Sequence, residues 1–228
     1  MSLILNIDTA LDTASVALAE NGIIIRSLSN ATQKDHAQFV HTAIKKLFDE
    51  TGKVAAALDA ISVVNGPGSY TGLRVGMATA KGLCYAWKQP MIGISSLAII
   101  SHSANAYAQS VSNSIICPMI DARRMEVFTA LFDQNGQCLL SPRAMILNAH
   151  SFEIELQHQP VVFTGNGADK LALVVEHPNA HVYQSVELPT SFASLSQISF
   201  NQKEFLDIHL SEPLYVKEHE SMFEKKKS

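Results

Sequence analysis

Residues 65–76 read NGPGSYTGLRVG, and the interpretation of the whole sequence starts from this glycine-rich stretch. It follows an apolar run and precedes a segment with helical periodicity, so it joins a strand to a helix. Gly66, Gly68 and Gly72 allow positive φ and close backbone approach, and Ser69 or Thr71 is placed to cap the helix. An anion- or nucleotide-binding loop fits these residues. A capped strand-to-helix turn fits them better, because the Gly-Lys-Ser/Thr of a Walker loop does not follow.

The hydrophobic patterns on either side of this stretch predict an α/β protein. Asn21-Gly22 lies between two apolar runs and is a strong hairpin signal, so the chain opens with a β-meander. Strands are predicted at 3–7, 15–19, 23–28, 58–64, 91–94, 115–120, 126–132, 137–146, 160–164, 181–184 and 213–216. Helices are predicted at 34–50, 71–87, 96–109, 168–176 and 192–199.

The order of these elements predicts two lobes. Residues 1–103 make the N-terminal lobe, residues 104–212 the C-terminal lobe, and residues 213–228 a C-terminal segment with a polar tail that we expect to pack back on the N-terminal lobe. Each lobe opens with a β-meander whose first turn carries an aspartate, Asp8 in one and Asp121 in the other. Such duplicated halves are the sequence outline of actin, hexokinase and Hsp70 relatives.

The composition argues against several classes of protein. A net charge of −4, with a single basic run at 225–227, is not expected of a chain that grips RNA alone. The three cysteines are widely spaced and form no zinc motif. Without a visible signal peptide or an apolar 18-residue run, we expect a cytoplasmic protein and no membrane span. Charged residues make up only 17% of the chain, which indicates either a surface covered by a partner or one rich in serine and asparagine.

Four segments together resemble the TsaB family, formerly called YeaZ. They are residues 65–76, Asp8-Thr9-Ala10 near the start, DARRMEV at 121–127, and Pro213-Leu214-Tyr215 near the end. The resemblance implies a two-lobed actin-like fold and a heterodimer with TsaD, the catalytic paralogue. It also implies a further ATPase subunit, TsaE, and access to tRNA through the complex, which adds threonylcarbamoyl to the adenosine beside the anticodon. Family members of this kind are not expected to catalyse the transfer.

Metal chemistry is disfavoured by the first predicted helix. TsaD-like paralogues carry two histidines four residues apart, which places both imidazoles on one helix face. Here His36 is followed four residues later by Val40. His41 is the next histidine, and at about 100° per residue it lies about 140° around the helix from His36. We therefore expect no metal site.

Phosphate chemistry is disfavoured by the two aspartate turns. The resemblance implies Asp-x-Gly turns whose backbone amides approach the phosphates, but this chain has Ala10 and Arg123 at the glycine positions. Side chains there crowd the turn and disfavour positive φ. No cofactor is expected to be required. The surviving groups leave weak ADP, ATP or Mg²⁺ binding open at a vestigial site composed of Asp8, Thr9, Asp121, Gly165 and Gly167, although turn capping explains these residues better.

The two first-lobe helices are the predicted partner surface. The resemblance places the contact with TsaD on this helix pair, and a homodimer through the same surface is expected when TsaD is absent. The predicted interface residues are His36, Phe39, Val40, Ala43, Gly72, Arg74, Gly76, Ala80 and Leu83. The alternative is that these faces cover the lobe's own sheet. Arg74, Arg123 and Arg124 are suited to phosphate binding or to ion pairs, and ion pairs are favoured.

Three functions are compatible with the resemblance and the fold. The leading one is a non-catalytic scaffold or activating subunit. An ATP-dependent phosphotransferase of the sugar-kinase type is opposed by the crowded aspartate turns. A metalloprotease related to the M22 peptidases is opposed by Val40, and no Ser/His/Asp set or activated cysteine supports proteolysis.

Overall fold

The computed structural model describes residues 1–31, 36–184 and 188–216. The first sheet is formed by strands from the N-terminal half of the chain. Its strands are β1 (Leu3–Asp8), β2 (Ala14–Glu20), β3 (Ile23–Asn30), β4 (Ala60–Gly66) and β5 (Met91–Ser95). They lie in the order β3-β2-β1-β4-β5. Strands β1 to β3 are antiparallel neighbours, and β4 and β5 run parallel to β1. Asn21 and Gly22 both have positive φ in the β2–β3 turn, as the hairpin prediction requires.

The second sheet has the same arrangement of strands. Its strands are β6 (Ile115–Asp121), β7 (Glu126–Phe132), β8 (Cys138–Ile146), β9 (Val161–Thr164) and β10 (Ala180–Tyr183). Read from β8 the order is β8-β7-β6-β9-β10, again an antiparallel meander followed by two parallel strands. The repeated order confirms the predicted α/β, two-lobed actin-like fold.

Six α-helices are found in the described residues, and they cover the faces of the two sheets. They are α1 (His36–Thr51), α2 (Tyr70–Trp87), α3 (Ser96–Ser110), α4 (Glu153–His158), α5 (Ala168–Ala172) and α6 (Leu188–Gln202). A short 3₁₀ helix spans Ala55–Ala57. None of the described helices is long and apolar enough to cross a membrane.

Helices α1 and α2 pack on one face of the first sheet. Val40 and Leu47 of α1 are fully buried with Ala80 of α2 and with the strand residues Leu5 and Val16. Each large apolar side chain buried in this way contributes roughly 1.5–3 kcal/mol. Most of the apolar stripe that predicted these helices therefore faces the lobe's own sheet.

Helix α3 contacts both sheets, whereas helix α6 packs on the first. Helix α3 contacts β6 and β9 of the second sheet as well as β4 and β5 of the first. Helix α6 packs on the first sheet, where Phe192 lies against Ile4 and Ile92 and the Ser196 hydroxyl donates to Ser62 Oγ at 2.8 Å. The lobe boundaries stay predictions, but α6 belongs by its contacts to the first sheet although it lies within 104–212.

Several element predictions are wrong in detail. Residues 213–216 do not form a strand. Pro213 has no N–H to donate to a neighbouring strand. The segment is joined to the sheet by a hydrogen bond from Leu214 N to the Asn65 carbonyl oxygen, at 2.7 Å. Helix α5 ends at Ala172 instead of reaching 176, and helix α4 was not predicted. A helix of six residues such as α4 is too short to show a clear period. Residues 34 and 35 of the predicted first helix lie outside the described residues.

The glycine-rich stretch packs directly on the β1–β2 turn. Ser69 caps helix α2, because its Oγ accepts from Gly72 N at 3.3 Å, as predicted. A Cβ at Gly72 would lie 2.0 Å from the Thr9 carbonyl oxygen, and one at Gly68 would lie 2.3 Å from that of Ala10. Both glycines are therefore required by close approach of two backbone segments.

This packing predicts opposite effects for two glycine-to-alanine substitutions in α2. Gly72→Ala forces the helix away from Thr9 and should lower the free energy of unfolding by about 2–3 kcal/mol. Gly82 has open space around its Cα, so Gly82→Ala is the matched control and should raise it by about 0.5–1 kcal/mol through helix propensity. Urea denaturation measures both. Equal effects of the two substitutions would contradict the close approach at Gly72.

Candidate functional site

A cleft of about 890 Å³ lies between the two lobes. Its walls include residues 10–12 of the β1–β2 turn, residues 67–71 of the glycine-rich stretch, residues 120–123 of the β6–β7 turn, Asn166, and residues 214–216. Residues of the two aspartate turns thus line the same cleft. The chemistry of each turn decides what the cleft can hold.

The Asp8 carboxylate is buried at the base of the first turn. Its Oδ1 accepts from Ala10 N at 2.9 Å, and Asp8 is only 8% exposed. Burial raises the pKa of Asp8 to about 6, although the hydrogen bond from Ala10 opposes the shift. Asp8 is thus an internal support of its own turn and does not line the cleft.

The glycine-rich stretch also forms hydrogen bonds with Thr9 and Ala10 of the first turn. The Thr9 hydroxyl donates to the Gly72 carbonyl at 2.6 Å, and Ser69 N donates to the Ala10 carbonyl at 2.7 Å. Thr9 is 1% exposed. The Thr9 hydroxyl and the Ala10 carbonyl therefore have hydrogen-bond partners within the chain.

The second turn is held by an ion pair. Asp121 Oδ1 accepts from Lys170 Nζ and from Arg123 N, both at 2.6 Å, while Asp121 N donates to Asn166 Oδ1 at 2.9 Å. Burial alone would raise the pKa of Asp121, but the hydrogen bonds from Lys170 and Arg123 outweigh it and the pKa is lowered. Asp121 is therefore an ionised carboxylate at the rim of the cleft.

Positive φ occurs in the second turn despite its side chains. Arg123 has a φ of 73° and Arg124 one of 49°. The expectation that side chains would keep this turn out of the left-handed region is wrong, because the bond from Arg123 N to Asp121 fixes the Arg123 backbone. Arg123 lines the cleft, whereas the predicted ion pairs of Arg123 and Arg124 are not found among the described residues.

Gly165 and Gly167 are packing glycines. Gly165 has a φ of 95°, and its Cβ would lie 2.4 Å from the Met119 carbonyl oxygen. A Cβ at Gly167 would lie 2.9 Å from Val127 Cγ1. Of the five residues predicted to form a vestigial nucleotide site, Asp121 alone lines the cleft, so the structure does not gather them around one cavity.

Most of the predicted interface residues lie inside the first lobe. Val40, Ala43, Gly72, Gly76 and Ala80 are buried, and Phe39 and Leu83 are partly buried against the same core. Gly76 faces Thr9, whose Oγ1 would lie 2.5 Å from a Cβ there, so its small size serves the lobe's own packing. Arg74 is exposed. Helix α1 begins at His36, whose side chain lies outside the described part.

An arginine and two tyrosines meet at the mouth of the cleft. Arg74 Nε donates to the Tyr215 hydroxyl at 3.1 Å, and the Arg74 Cζ lies 4.0 Å from the centre of the Tyr70 ring. The Tyr70 and Tyr215 rings are 5.1 Å apart. Sequence reasoning found Arg74 but not this cluster, because Arg74 and Tyr215 are separated by 141 residues and no local pattern links them.

Clusters of metal-binding side chains are absent from the described residues. No group of three or more His, Cys, Asp or Glu side chains within 1–31, 36–184 and 188–216 is placed to hold an ion. Val40, at the position where a second histidine would stand, is fully buried. That position of α1 faces the sheet.

The two aspartates predict pH effects of opposite sign. The folded-state pKa of Asp8 is about 6 against an ordinary 3.8, so the folded state holds its proton more tightly and stability falls as pH rises between these values. Asp8→Asn keeps the acceptor for Ala10 and removes the buried charge. It should raise the free energy of unfolding by up to about 3 kcal/mol at pH 7.5 and leave it nearly unchanged below pH 4.

Asp121→Asn is the matched control. The pKa of Asp121 is lowered in the folded state, so this substitution should destabilise the protein at neutral pH, with the difference vanishing in acid. Urea titrations between pH 3.5 and pH 8 measure both differences. The same sign for both variants at pH 7.5 would contradict the environments described for the two carboxylates.

Comparison with known proteins relates these features to one family. The model of the family TsaD, tRNA N6-adenosine threonylcarbamoyltransferase, matches residues 27–204. The protein TsaB of Bacillus subtilis is 30% identical over 166 residues, which are 72% of this chain and 70% of that protein. TsaB of Escherichia coli is 32% identical over 135 residues, 58% of this chain, and the match spans only 57% of that protein.

A solved structure gives the same relationship over the full length. YeaZ from Pseudomonas aeruginosa superimposes with a TM-score of 0.78 at 27% identity, covering 94% of this chain and 100% of that one. A second Pseudomonas aeruginosa structure, described as similar to peptidase YeaZ, gives a TM-score of 0.80 at 26% identity, with 95% and 100% covered. With the repeated sheets, the glycine-rich stretch and the paired aspartate turns, these matches show that the chain belongs to the TsaB (YeaZ) family.

Proposed function

We propose that this chain takes part in the biosynthesis of threonylcarbamoyladenosine in tRNA, as a non-catalytic subunit that pairs with a TsaD-type transferase. The pathway is the one for which its relatives in Bacillus subtilis and Escherichia coli are named. The observation that carries the non-catalytic part is the packing of the glycine-rich stretch on the Asp8 turn. In this chain the backbone of the glycine-rich stretch packs against the turn where the family resemblance implies a bound phosphate. Such packing suits a supporting role.

The occupied turn weighs against phosphate transfer by this chain. A reacting phosphate needs free backbone N–H groups and a metal-binding carboxylate near it. Ala10 N is bonded to Asp8, and the Ala10 carbonyl is bonded to Ser69. At the facing turn Asp121 is neutralised by Lys170. These contacts support a scaffold over a sugar-kinase type of phosphotransferase, for which the volume of the cleft alone would be adequate.

The outer face of helix α2 is the proposed contact surface for the transferase. Ala78, Gly82 and Ala86 are exposed at intervals of four residues, and small side chains in such a row let another helix approach closely. Tyr85 is 75% exposed beside them and gives an aromatic anchor of the kind enriched at interfaces. The same face would support a homodimer when the transferase is absent.

The remaining partners follow from the pathway and the charge. A net charge of −4 supports a chain that reaches tRNA through its complex and does not bind RNA alone. A TsaE-type ATPase is the proposed third subunit. Because tRNA modification of this kind acts on cytoplasmic tRNA, we place the protein in the cytoplasm. No cofactor is proposed for this subunit.

Mixing the chain with the transferase of the same organism tests the proposal. Gel filtration with light scattering should show a complex at micromolar concentration. Ala86→Arg places a long cation on the outer face of α2 and should weaken that complex by at least about tenfold, a loss in the range found for central interface residues. Ala106→Arg, on an exposed position of α3, is the matched control and should leave it unchanged.

Titration with ATP and Mg²⁺ completes the test. The isolated chain should show no ATP turnover. If it hydrolyses or transfers phosphate at rates typical of enzymes, roughly 1 s⁻¹ or more, the phosphotransferase is the right function. If no complex with the transferase forms, the scaffold role is wrong.

A further inference from the structure

A groove of about 310 Å³ runs between helix α2 and the C-terminal segment 211–216. Arg74, Met77 and Lys81 line it from the helix, and Glu212, Pro213 and Tyr215 line it from the segment. The volume lies at the lower end of the range for small-ligand pockets, roughly 300–1,000 Å³. Its walls combine apolar atoms with two cations and one carboxylate.

The segment that forms one wall of this groove is built into the end of strand β4. Leu214 N donates to the Asn65 carbonyl at 2.7 Å. Gly66 has a φ of 117°, and a Cβ there would lie 2.7 Å from the Leu214 carbonyl oxygen. The backbone of β4 and that of the segment therefore touch, and the groove has a defined width.

The guanidinium of Arg74 is held in one orientation. Its Nε donates to the Tyr215 hydroxyl, and its Cζ lies 4.0 Å from the centre of the Tyr70 ring. The Tyr215 ring packs in turn on Tyr70. A free arginine side chain loses about 2 kcal/mol of rotamer entropy when it is fixed, and here contacts within the chain have already fixed it.

The two Nη groups of Arg74 are left for a ligand from outside. Neither donates a hydrogen bond to any residue of the described ranges, and the side chain is exposed. Once Nε is engaged, the paired Nη groups form a planar fork that matches the two oxygens of a carboxylate. An immobilised fork of this kind binds with little further loss of entropy.

We propose that this groove is the anchor site for an aspartate or glutamate side chain of the partner protein, with Arg74 as its receptor and Tyr215 as the residue that positions Arg74. The inference rests on the proposed function, and it adds the C-terminal segment to the contact surface of α2. Met77 and Pro213 accommodate the methylene groups of the incoming side chain. Lys81 supplies a second positive charge in the groove.

The charges in the groove favour a protein carboxylate over an RNA phosphate. Glu212 leaves the groove with a net charge of only about +1, whereas an RNA site gathers several cations to match a chain of phosphates. Phosphate contacts also need no apolar floor. Tyrosine and arginine in close contact are enriched among the residues that contribute most to protein–protein affinity.

Affinity for the transferase, measured by calorimetry, tests this site. Arg74→Gln should weaken binding about 10–100-fold, the value expected for a charged bidentate pair. Tyr215→Phe keeps the ring on Tyr70 but removes the acceptor for Nε, and it should weaken binding about 3–10-fold. In an Arg74→Gln background, Tyr215→Phe should have no further effect, because its role acts through Arg74.

Matched controls separate the site from general damage. Arg143→Gln removes an exposed arginine of the second lobe, and Tyr107→Phe removes a hydroxyl from a ring stacked on Tyr183. Both should bind the transferase as the wild type does. Arg74→Glu should abolish binding, and an acidic-to-arginine substitution at one site of the transferase should restore it.

Three results would overturn the proposal. Wild-type affinity of Arg74→Gln with an intact wild-type complex would remove this site and leave the proposed function standing. A loss of tRNA binding by Arg74→Gln, with transferase affinity unchanged, would make the ligand a phosphate. Absence of any complex with the wild-type chain would reject the proposed function and this inference together, before any variant is compared.

Discussion

The contact between the glycine-rich stretch and the β1–β2 turn is the constraint on which the rest of the structure depends. Gly68 and Gly72 bring one backbone against the carbonyl oxygens of Thr9 and Ala10, at distances that no side chain would permit. This approach sets the start of helix α2 relative to strand β1. It thereby places the whole outer face of α2, since a helix capped at Ser69 has one register from its first turn onward.

The same contact links packing to chemistry. The Thr9 hydroxyl and the Ala10 carbonyl form hydrogen bonds with the stretch, so these two groups are engaged within the chain. Asp8 is then buried and its pKa raised, while Asp121, in the equivalent position of the second lobe, lies at the rim beside Lys170 with its pKa lowered. The pKa values of the two equivalent carboxylates are thus shifted in opposite directions. With a pKa of about 6, Asp8 is still ionised at pH 7.5, but of the two carboxylates only Asp121 lines the cleft, where it pairs with Lys170.

Local signals in the sequence predicted local structure well. The hairpin at Asn21-Gly22, the cap at Ser69 and the repeated meander are short-range features, and each is found where the residues place it. The role of Gly76 was not predictable in the same way. Small residues spaced along a helix indicate that something approaches closely, but they do not say whether it is another helix or, as here, Thr9 of the same lobe.

The features that escaped prediction all depend on contacts between distant parts of the chain. Residues 213–216 have strand-like composition, yet Pro213 and the position of Leu214 at the end of β4 prevent a ladder. Helix α6 follows the second sheet in sequence but covers the first. A hydrophobic period shows that one face is buried and does not name the neighbour that buries it. The Arg74–Tyr215 pair escaped prediction for the same reason, because its two residues are 141 positions apart in the sequence.

The C-terminal segment is a long-range contact that links the cleft to the outer face of helix α2. Residues 214–216 line the cleft, and Tyr215 at the same time accepts a hydrogen bond from Arg74 on α2. One short segment therefore couples the space between the lobes to the surface proposed for the partner. The proposed partner, by binding Arg74, would also stabilise the segment and the part of the cleft wall that it forms. In the proposed scaffold role, the cleft supports the contact surface and need not hold a substrate.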